Sequence, residues 1–262
     1  MNDDLEIDVS IGPNFFAPKC MDRDLKFDIR NSHAVANSMC NFRCAFCKHG
    51  LNEEKPHYKK FTVYEEKISE LMNQGRMFKF TGGEPCMNPY INQMLEIVKK
   101  NKGIVFLDTN GSMVNVISEL LKSNLIDVLG VSLKGLDAEE ALETSGVKNV
   151  SLCWDNVLET IRIASNCTNV RVIVTYVAYD NFNYNKLCEF ANILEKINDN
   201  IYLKINNLCG DKRRNMNLKA LDKDVLPNMI FKFVEKNSKW KDKVILINSS
   251  EGVTNYSKIM FF

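Results

Sequence analysis

The sequence predicts an α/β protein: a partial (β/α)6, TIM-like barrel of parallel strands, with short extensions at both ends. Three observations predict it. Short apolar strand-like runs alternate with helix-like segments between about residues 33 and 210. A strand, a crossover helix and a second strand place the two strands parallel, because the helix carries the chain back to the end where it started. Six such units are present, too few for a closed eightfold barrel and suited to an open one.

The elements follow in chain order. Residues 1–32 form an N-terminal extension, with a hairpin-like stretch over 5–30. The barrel core spans 33–210 and opens with the strand "AVANSM" (34–39). A helix over 62–74 begins with a capping box, Thr62 with Glu65. "RMFKFTGG" (76–83) is the second strand. The helix over 88–101 sets Ile91, Met94, Leu95 and Val98 on one face, with Asn88 as cap and Pro89 in its first turn. Strands over 103–111, 125–135, 170–177 and 201–207 then alternate with helices over 113–124, 154–166 and 185–198. The C-terminal extension, 211–262, holds a helix near 222–237 and a strand at 243–248. Its last apolar residues, Ile259, Met260, Phe261 and Phe262, dock on the body of the protein, where the tail is positioned to cap the barrel mouth.

Composition narrows the function. Lys plus Arg number 34 and Asp plus Glu 33, so no overall field attracts nucleic acid or an anionic membrane. The opening "MNDDLEIDVS" is acidic and lacks the apolar core of a signal peptide, and no apolar run is long enough to span a membrane. A cytoplasmic location is expected. There, most of the nine cysteines should be thiols, and a tight cluster points to metal rather than disulfides.

That cluster is "CNFRCAFC", with Cys40, Cys44 and Cys47 at C-x3-C-x2-C spacing just after the first strand. Zinc would need a fourth ligand, which His33, His49 or His57 would have to supply. A 4Fe–4S cube explains three cysteines directly: three thiolates leave one iron without a protein ligand and open to a small molecule. Phe42 and Phe46 can shield such a cluster, and Arg43 and Lys48 can offset its charge. The other strands end in Thr81-Gly82-Gly83-Glu84-Pro85, Asp108-Thr109-Asn110-Gly111, Ser132-Leu133-Lys134-Gly135, Thr175-Tyr176 and Asn206-Asn207. Turn chemistry accounts for the Gly and Asn but not for a Glu, an Asp and a Lys as well. One shared site at the carboxyl ends of the strands is therefore expected.

The three-cysteine motif, with an aromatic before its last cysteine, resembles that of the radical S-adenosylmethionine (radical SAM) superfamily. "TGGEP" resembles the glycine-rich motif of that superfamily, at a similar distance downstream. The resemblance implies a partial (β/α)6 barrel, a 4Fe–4S cluster and S-adenosylmethionine as cofactors, and reductive cleavage of the latter to a 5′-deoxyadenosyl radical that abstracts a hydrogen atom. It implies cluster binding by Cys40, Cys44 and Cys47, and contact of Gly82, Gly83 and Glu84 with the methionine amino group. It sets Phe46 by the adenine, makes Lys134, beside Ser132, a candidate for the carboxylate, and makes Asp108, Thr109, Asn110 and Asn206 further cofactor or substrate contacts. It also implies a flavodoxin- or ferredoxin-type electron donor.

"LDTNG", "VSLKGLDAEEALETSG" and "WDNVLETI" further resemble the glycyl-radical-enzyme activases. The chain departs from that pattern at Ser132, where activases carry Asp, at Lys48-His49-Gly50, and in having no His near the sixth strand's end. The expected substrate is a small molecule, a nucleoside or a peptide. An activase and a non-enzymatic iron–sulfur or zinc-binding module are the alternatives. Cys86, just past the glycines, and the basic loop "GDKRRNMN" (210–217) are candidate substrate neighbours.

Overall fold

Apolar side chains on both faces of a strand require cover on both, and the barrel strands of this chain meet that demand with helices outside and a plugged bore inside. A computed structural model describes residues 5–13, 32–47, 56–209, 213–248 and 259–261. Its strands are β1 (Glu6–Asp8), β2 (Ser10–Pro13), β3 (His33–Asn37), β4 (Tyr58–Lys60), β5 (Met77–Gly82), β6 (Ile104–Thr109), β7 (Val128–Ser132), β8 (Arg171–Ala178), β9 (Ile201–Asn207), β10 (Val244–Ile247) and β11 (Ile259–Phe261). In the main sheet β3, β5, β6, β7, β8, β9 and β10 lie side by side, all parallel. Antiparallel β2 and β11 flank the two edges. The pair β1–β4 forms a separate two-stranded ribbon.

The crossovers are α1 (Phe61–Leu71), α2 (Ile91–Lys100), α3 (Val114–Lys122), α4 (Ala138–Ser145), α5 (Asn156–Ser165), α6 (Tyr184–Ile197) and α7 (Val225–Lys236). Alternate strand residues such as Phe78, Phe80, Leu107 and Val131 face the helices and join one continuous core with Leu95, Ile117 and Ile161. The opposite positions line the bore. Met77, Phe106, Val128 and Ile173, packed with Ile104 and Tyr202, fill it near the strands' amino ends. Farther along, it turns polar: Lys79 Nζ lies 2.6 Å from Asp108 Oδ2 and 5.0 Å from the centre of the Phe106 ring.

Three local expectations are corrected. The N-terminal stretch is no hairpin where it is described: β1 pairs with β4 and β2 with β3, while residues 14–31 lie outside the described part. The Thr62–Glu65 capping box does not form. The helix starts one residue earlier, at Phe61, whose N–H donates to Leu5 O (2.8 Å), so tertiary contact satisfies a donor that the box would have served. The next helix starts at Ile91 rather than 88; Asn88 Oδ1 accepts from Tyr90 N–H (3.0 Å) and forms a turn ahead of it. One crossover element, α4, carries no clear apolar period. It is fixed instead at its amino end by Asp137, whose carboxylate accepts from Glu140 N–H, while Glu140 Oε2 accepts from Leu136 N–H. Of the C-terminal tail, 259–261 pairs along the outer edge of β10, and 249–258 and Phe262 lie outside the described residues.

Burial pushes the Asp108 carboxyl up, but Lys79, together with Lys204 and Lys134, outweighs it and holds the group below its ordinary value. Such a carboxylate stabilises the fold above its unfolded pKa, and the contribution is lost as pH falls through the lowered folded value. Lys79→Met should therefore cost about 2–3 kcal/mol in urea unfolding at neutral pH, at the low end for a buried pair because the Asp108 side chain is 22% exposed. The gap from wild type should narrow as the solution is acidified through the carboxylate range.

Candidate functional site

Beyond β3 the chain from Ser38 to Cys47 has no regular structure, so many of its backbone groups are satisfied from outside. Three segments do this. The first is the end of β5: Gly83 N–H donates to Asn37 O (2.7 Å) and Glu84 N–H to Met39 O (2.7 Å). Asn37 Nδ2 adds bonds to Met39 O (3.1 Å) and Glu84 O (3.0 Å). A Cβ on Gly83 would lie 2.0 Å from Met39 O, and Gly82 holds φ at 97°, so both positions need glycine for this approach. The second segment is the carboxyl end of α4. Its last carbonyls, Thr144 O and Ser145 O, accept from Ala45 N–H (2.8 Å) and Arg43 N–H (2.8 Å). Gly146, at φ 70°, ends the helix, and its bare Cα lets Arg43 O come close. The third is the loop after β9, where Arg214 and Asn215 N–H groups donate to Cys47 O (3.1 Å) and Ala45 O (2.9 Å). The basic loop is thus seated on the cysteines by its backbone; residues 210–212 lie outside the described part, as do Lys48, His49 and Cys20.

The thiols sit in a small apolar cluster. Cys44 and Phe42 are buried with Ala141 and Cys153, and Cys40, Phe46 and Cys47 pack at the margin. Burial pushes the Cys40 and Cys44 thiols up, while the Lys134 charge works to lower both. Lys134 is itself buried, with Nζ donating to Ser132 Oγ (2.7 Å) and standing 5.5 Å from the centre of the Phe46 ring. Phe46, Ser132 and Lys134, three candidates from two separate stretches, therefore meet at the cysteine loop.

A layer beneath joins the strand ends. Glu84 is 0% exposed. Its Oε1 accepts from Thr109 Oγ1 (2.7 Å) and Cys86 N–H (3.1 Å), and its Oε2 from Asn110 N–H (2.6 Å). Burial pushes this carboxyl up, against the hydrogen bonds from Asn110, Thr109 and Cys86. Asn110 Nδ2 reaches Asn41 Oδ1 (2.8 Å), and Asn41 Nδ2 reaches Ser112 Oγ (2.8 Å), tying β6 to the cysteine loop. Glu84, Thr109 and Asn110 thus form a strut in which the carboxylate is already engaged. Asp108 lies deeper in the bore, on Lys79. Asn206 Oδ1, at the end of β9, is buried and finds no hydrogen-bond partner among the described residues.

Cys86, just past the glycines, borders a cavity of about 500 Å³ that it shares with Asn88, Ile91 and Val116. It is buried in the main core with Sγ 3.9 Å from Thr109 Oγ1, and burial, reinforced by Glu84, pushes its thiol well up. The residues missing from the sequence reading are Asn37, Asn41, Ser112 and Thr144. The only hint was that two asparagines bracket Cys40 in "ANSMCN".

The donor set fits a cluster better than a single ion. A closed zinc site takes four ligands, and this loop supplies three sulfurs. His33 stands at the amino end of β3, beside Leu71 and Gly75, away from the cysteines at the other end. Three soft thiols from one loop, apolar cover and an adjacent ammonium suit a 4Fe–4S cube with one iron left open. All cysteines among the described residues are free.

Known proteins bear on this geometry. A GTP 3′,8-cyclase of Chlorobaculum tepidum is 35% identical over 135 residues, 48% of this chain and 40% of that protein. The matches span less than half the length of the first curated relatives. Streptococcus suis SuiB bound to S-adenosylmethionine superposes with a TM-score of 0.66 at 18% identity, over 84% of this chain and 50% of that one. TYW1 with a lysine-pyruvate adduct bound gives 0.61 at 18% identity, over 88% and 84%. The fold is the one these structures share. Among the described residues no helix is long and apolar enough to cross a membrane. The Radical SAM superfamily pattern matches residues 36–194, from the strand before the cysteines through most of α6. The chain belongs to the radical SAM superfamily, whose enzymes use a 4Fe–4S cluster and S-adenosylmethionine.

Proposed function

We propose that this protein is a radical SAM enzyme acting directly on an organic substrate: a small molecule, a nucleoside or a peptide. Cys40, Cys44 and Cys47 hold the cluster. When bound, it supplies the electron that splits S-adenosylmethionine into methionine and a hydrogen-abstracting 5′-deoxyadenosyl radical. The observation that carries the reading is the buried Lys134 ammonium, fixed by Ser132 and the Phe46 ring and within electrostatic reach of Cys40 and Cys44. It is suited to the cofactor's carboxylate, with Phe46 flanking the adenine.

The backbone of Gly82 and Gly83 offers carbonyl acceptors for the amino group. Glu84 steadies that backbone through Thr109 and Asn110 rather than reaching the ligand. Asn206 offers an acceptor for ribose or substrate. Asp108 pairs with Lys79 inside the bore. The plugged amino end of the bore and the apolar cover of the thiols exclude water from the reacting region. A flavodoxin- or ferredoxin-type donor in the cytoplasm supplies electrons. Direct modification is favoured over activation of a glycyl-radical enzyme by the relatives named GTP 3′,8-cyclase and by the neighbour solved with a precursor peptide.

Anaerobic protein reconstituted with iron and sulfide should release 5′-deoxyadenosine when given dithionite and S-adenosylmethionine. Protein that takes up the cluster yet yields none would refute the proposal. Cys44→Ala should assemble no stable cluster, seen as lost iron and lost visible absorbance, and wild-type iron content would contradict its role. Lys134→Met should raise the dissociation constant for S-adenosylmethionine about tenfold or more, the loss of one charged hydrogen bond, while cluster content stays near wild type.

A further inference from the structure

The three cysteines lie on an excursion that leaves the main sheet after β3, at Ser38, and reaches the β1–β4 ribbon after His57. Both ends rest on one side chain from outside the barrel core. Asp8, the last residue of β1, is 4% exposed. Its Oδ2 accepts from Ser38 N–H (2.8 Å) and Ser38 Oγ (2.7 Å), and its Oδ1 accepts from His57 N–H (2.9 Å). The backbone supports the same junction: Val9 N–H donates to His57 O (3.0 Å), and Asp8 pairs with Tyr58 in the ribbon. Asn88 Nδ2 contacts Asp8 O (3.4 Å) from the turn after the glycine-rich motif.

We propose that Asp8 is a positioning residue for the cluster: its carboxylate clasps both ends of the cysteine excursion and so presets the thiols. The inference rests on the reading that Cys40, Cys44 and Cys47 hold the cluster. An ionised carboxylate is an acceptor only, with room for all three donors, and such bonds are stronger than neutral ones. Joining the two ends removes conformational freedom that the empty loop would otherwise keep, and the anchored end lies two residues from Cys40. Outer partners of this kind typically change metal affinity about 10–100-fold.

The test uses the full chain, reconstituted anaerobically and then exposed to an iron chelator while the cluster absorbance is followed. Asp127→Ala is the control. That carboxylate holds Lys99 (2.7 Å) and Val105 N–H (2.8 Å), contacts that play no part in the cysteine loop. Asp8→Ala should lose its cluster about tenfold faster than wild type and give an altered electron paramagnetic resonance line shape. Asp8→Asn, keeping one acceptor oxygen, should be intermediate. Ser38→Ala, losing only the hydroxyl donor, should show a smaller change in the same direction. Asp127→Ala should lower the thermal midpoint and leave the bleaching rate at the wild-type value.

A wild-type rate and line shape in Asp8→Ala would overturn the proposal. So would equally fast bleaching in Asp127→Ala at a matched loss of midpoint, because the effect would then be general destabilisation. If Asp8→Ala does not fold, wild-type rates in both Asp8→Asn and Ser38→Ala overturn it. Wild-type protein that takes up no cluster would overturn the cysteine assignment and this inference together; a cluster that holds equally well without the Asp8 carboxylate overturns the inference alone.

Discussion

A loop with few hydrogen bonds of its own must borrow the rest, and the cysteine loop borrows from almost every quarter of the molecule. Its carbonyls and N–H groups are met by the end of β5, by the last carbonyls of α4 and by the segment after β9. The side chains of Asp8, Asn37 and Asn110 bind it as well. Unpaired backbone polar groups are costly when buried, so these partners decide where the thiols stand. The glycines at 82 and 83 serve that end: their lack of side chains lets two backbones touch. What looks in the sequence like a ligand motif is in the fold also a seam between two loops.

The bore divides its chemistry by depth. Apolar residues fill it at the amino ends of the strands, the Lys79–Asp108 pair lies above them, and Lys134 with Ser132 and Phe46 lies at the cysteine loop. The Lys79–Asp108 pair joins neighbouring strands, and Lys134 meets Ser132 and the Phe46 ring, which makes their burial tolerable. The carboxylate of Glu84 is the clearest instance, taking three donors while 0% exposed. A rigid floor of this kind holds reacting groups to a fixed geometry better than flexible side chains would.

The barrel was legible because its signals are local. Apolar runs of the right length, separated by helical periods, gave the order and direction of the strands to within about three residues at each end, and β9 falls on the expected 201–207. The spacing of Cys40, Cys44 and Cys47 and the run "TGGEP" were legible for the same reason. What was not legible depends on distant partners. The start of α1 is decided by Leu5, 56 positions earlier, not by Thr62. The short helix α4 hides in an acidic stretch, though Asp137 followed by Glu140 was a readable start signal. The engagement of Glu84 with Asn110, the burial of Cys86 and the bonds from Asp8 to Ser38 and His57 arise only when the sheet is assembled. Spacing along the chain says which residue types meet a ligand; it does not say which of them are already taken.

The carbonyls of Thr144 and Ser145 and the N–H groups of Arg214 and Asn215 set an order of events as well as a geometry. Cys40 to Cys47 are made early, yet the segments that complete their support come about a hundred and then more than a hundred and sixty residues later. On the ribosome the three thiols therefore emerge long before the surroundings that orient and shelter them. Their full support exists only once residue 215 is out and the sheet has assembled. The cysteine loop therefore reaches its full set of backbone partners only in the folded chain.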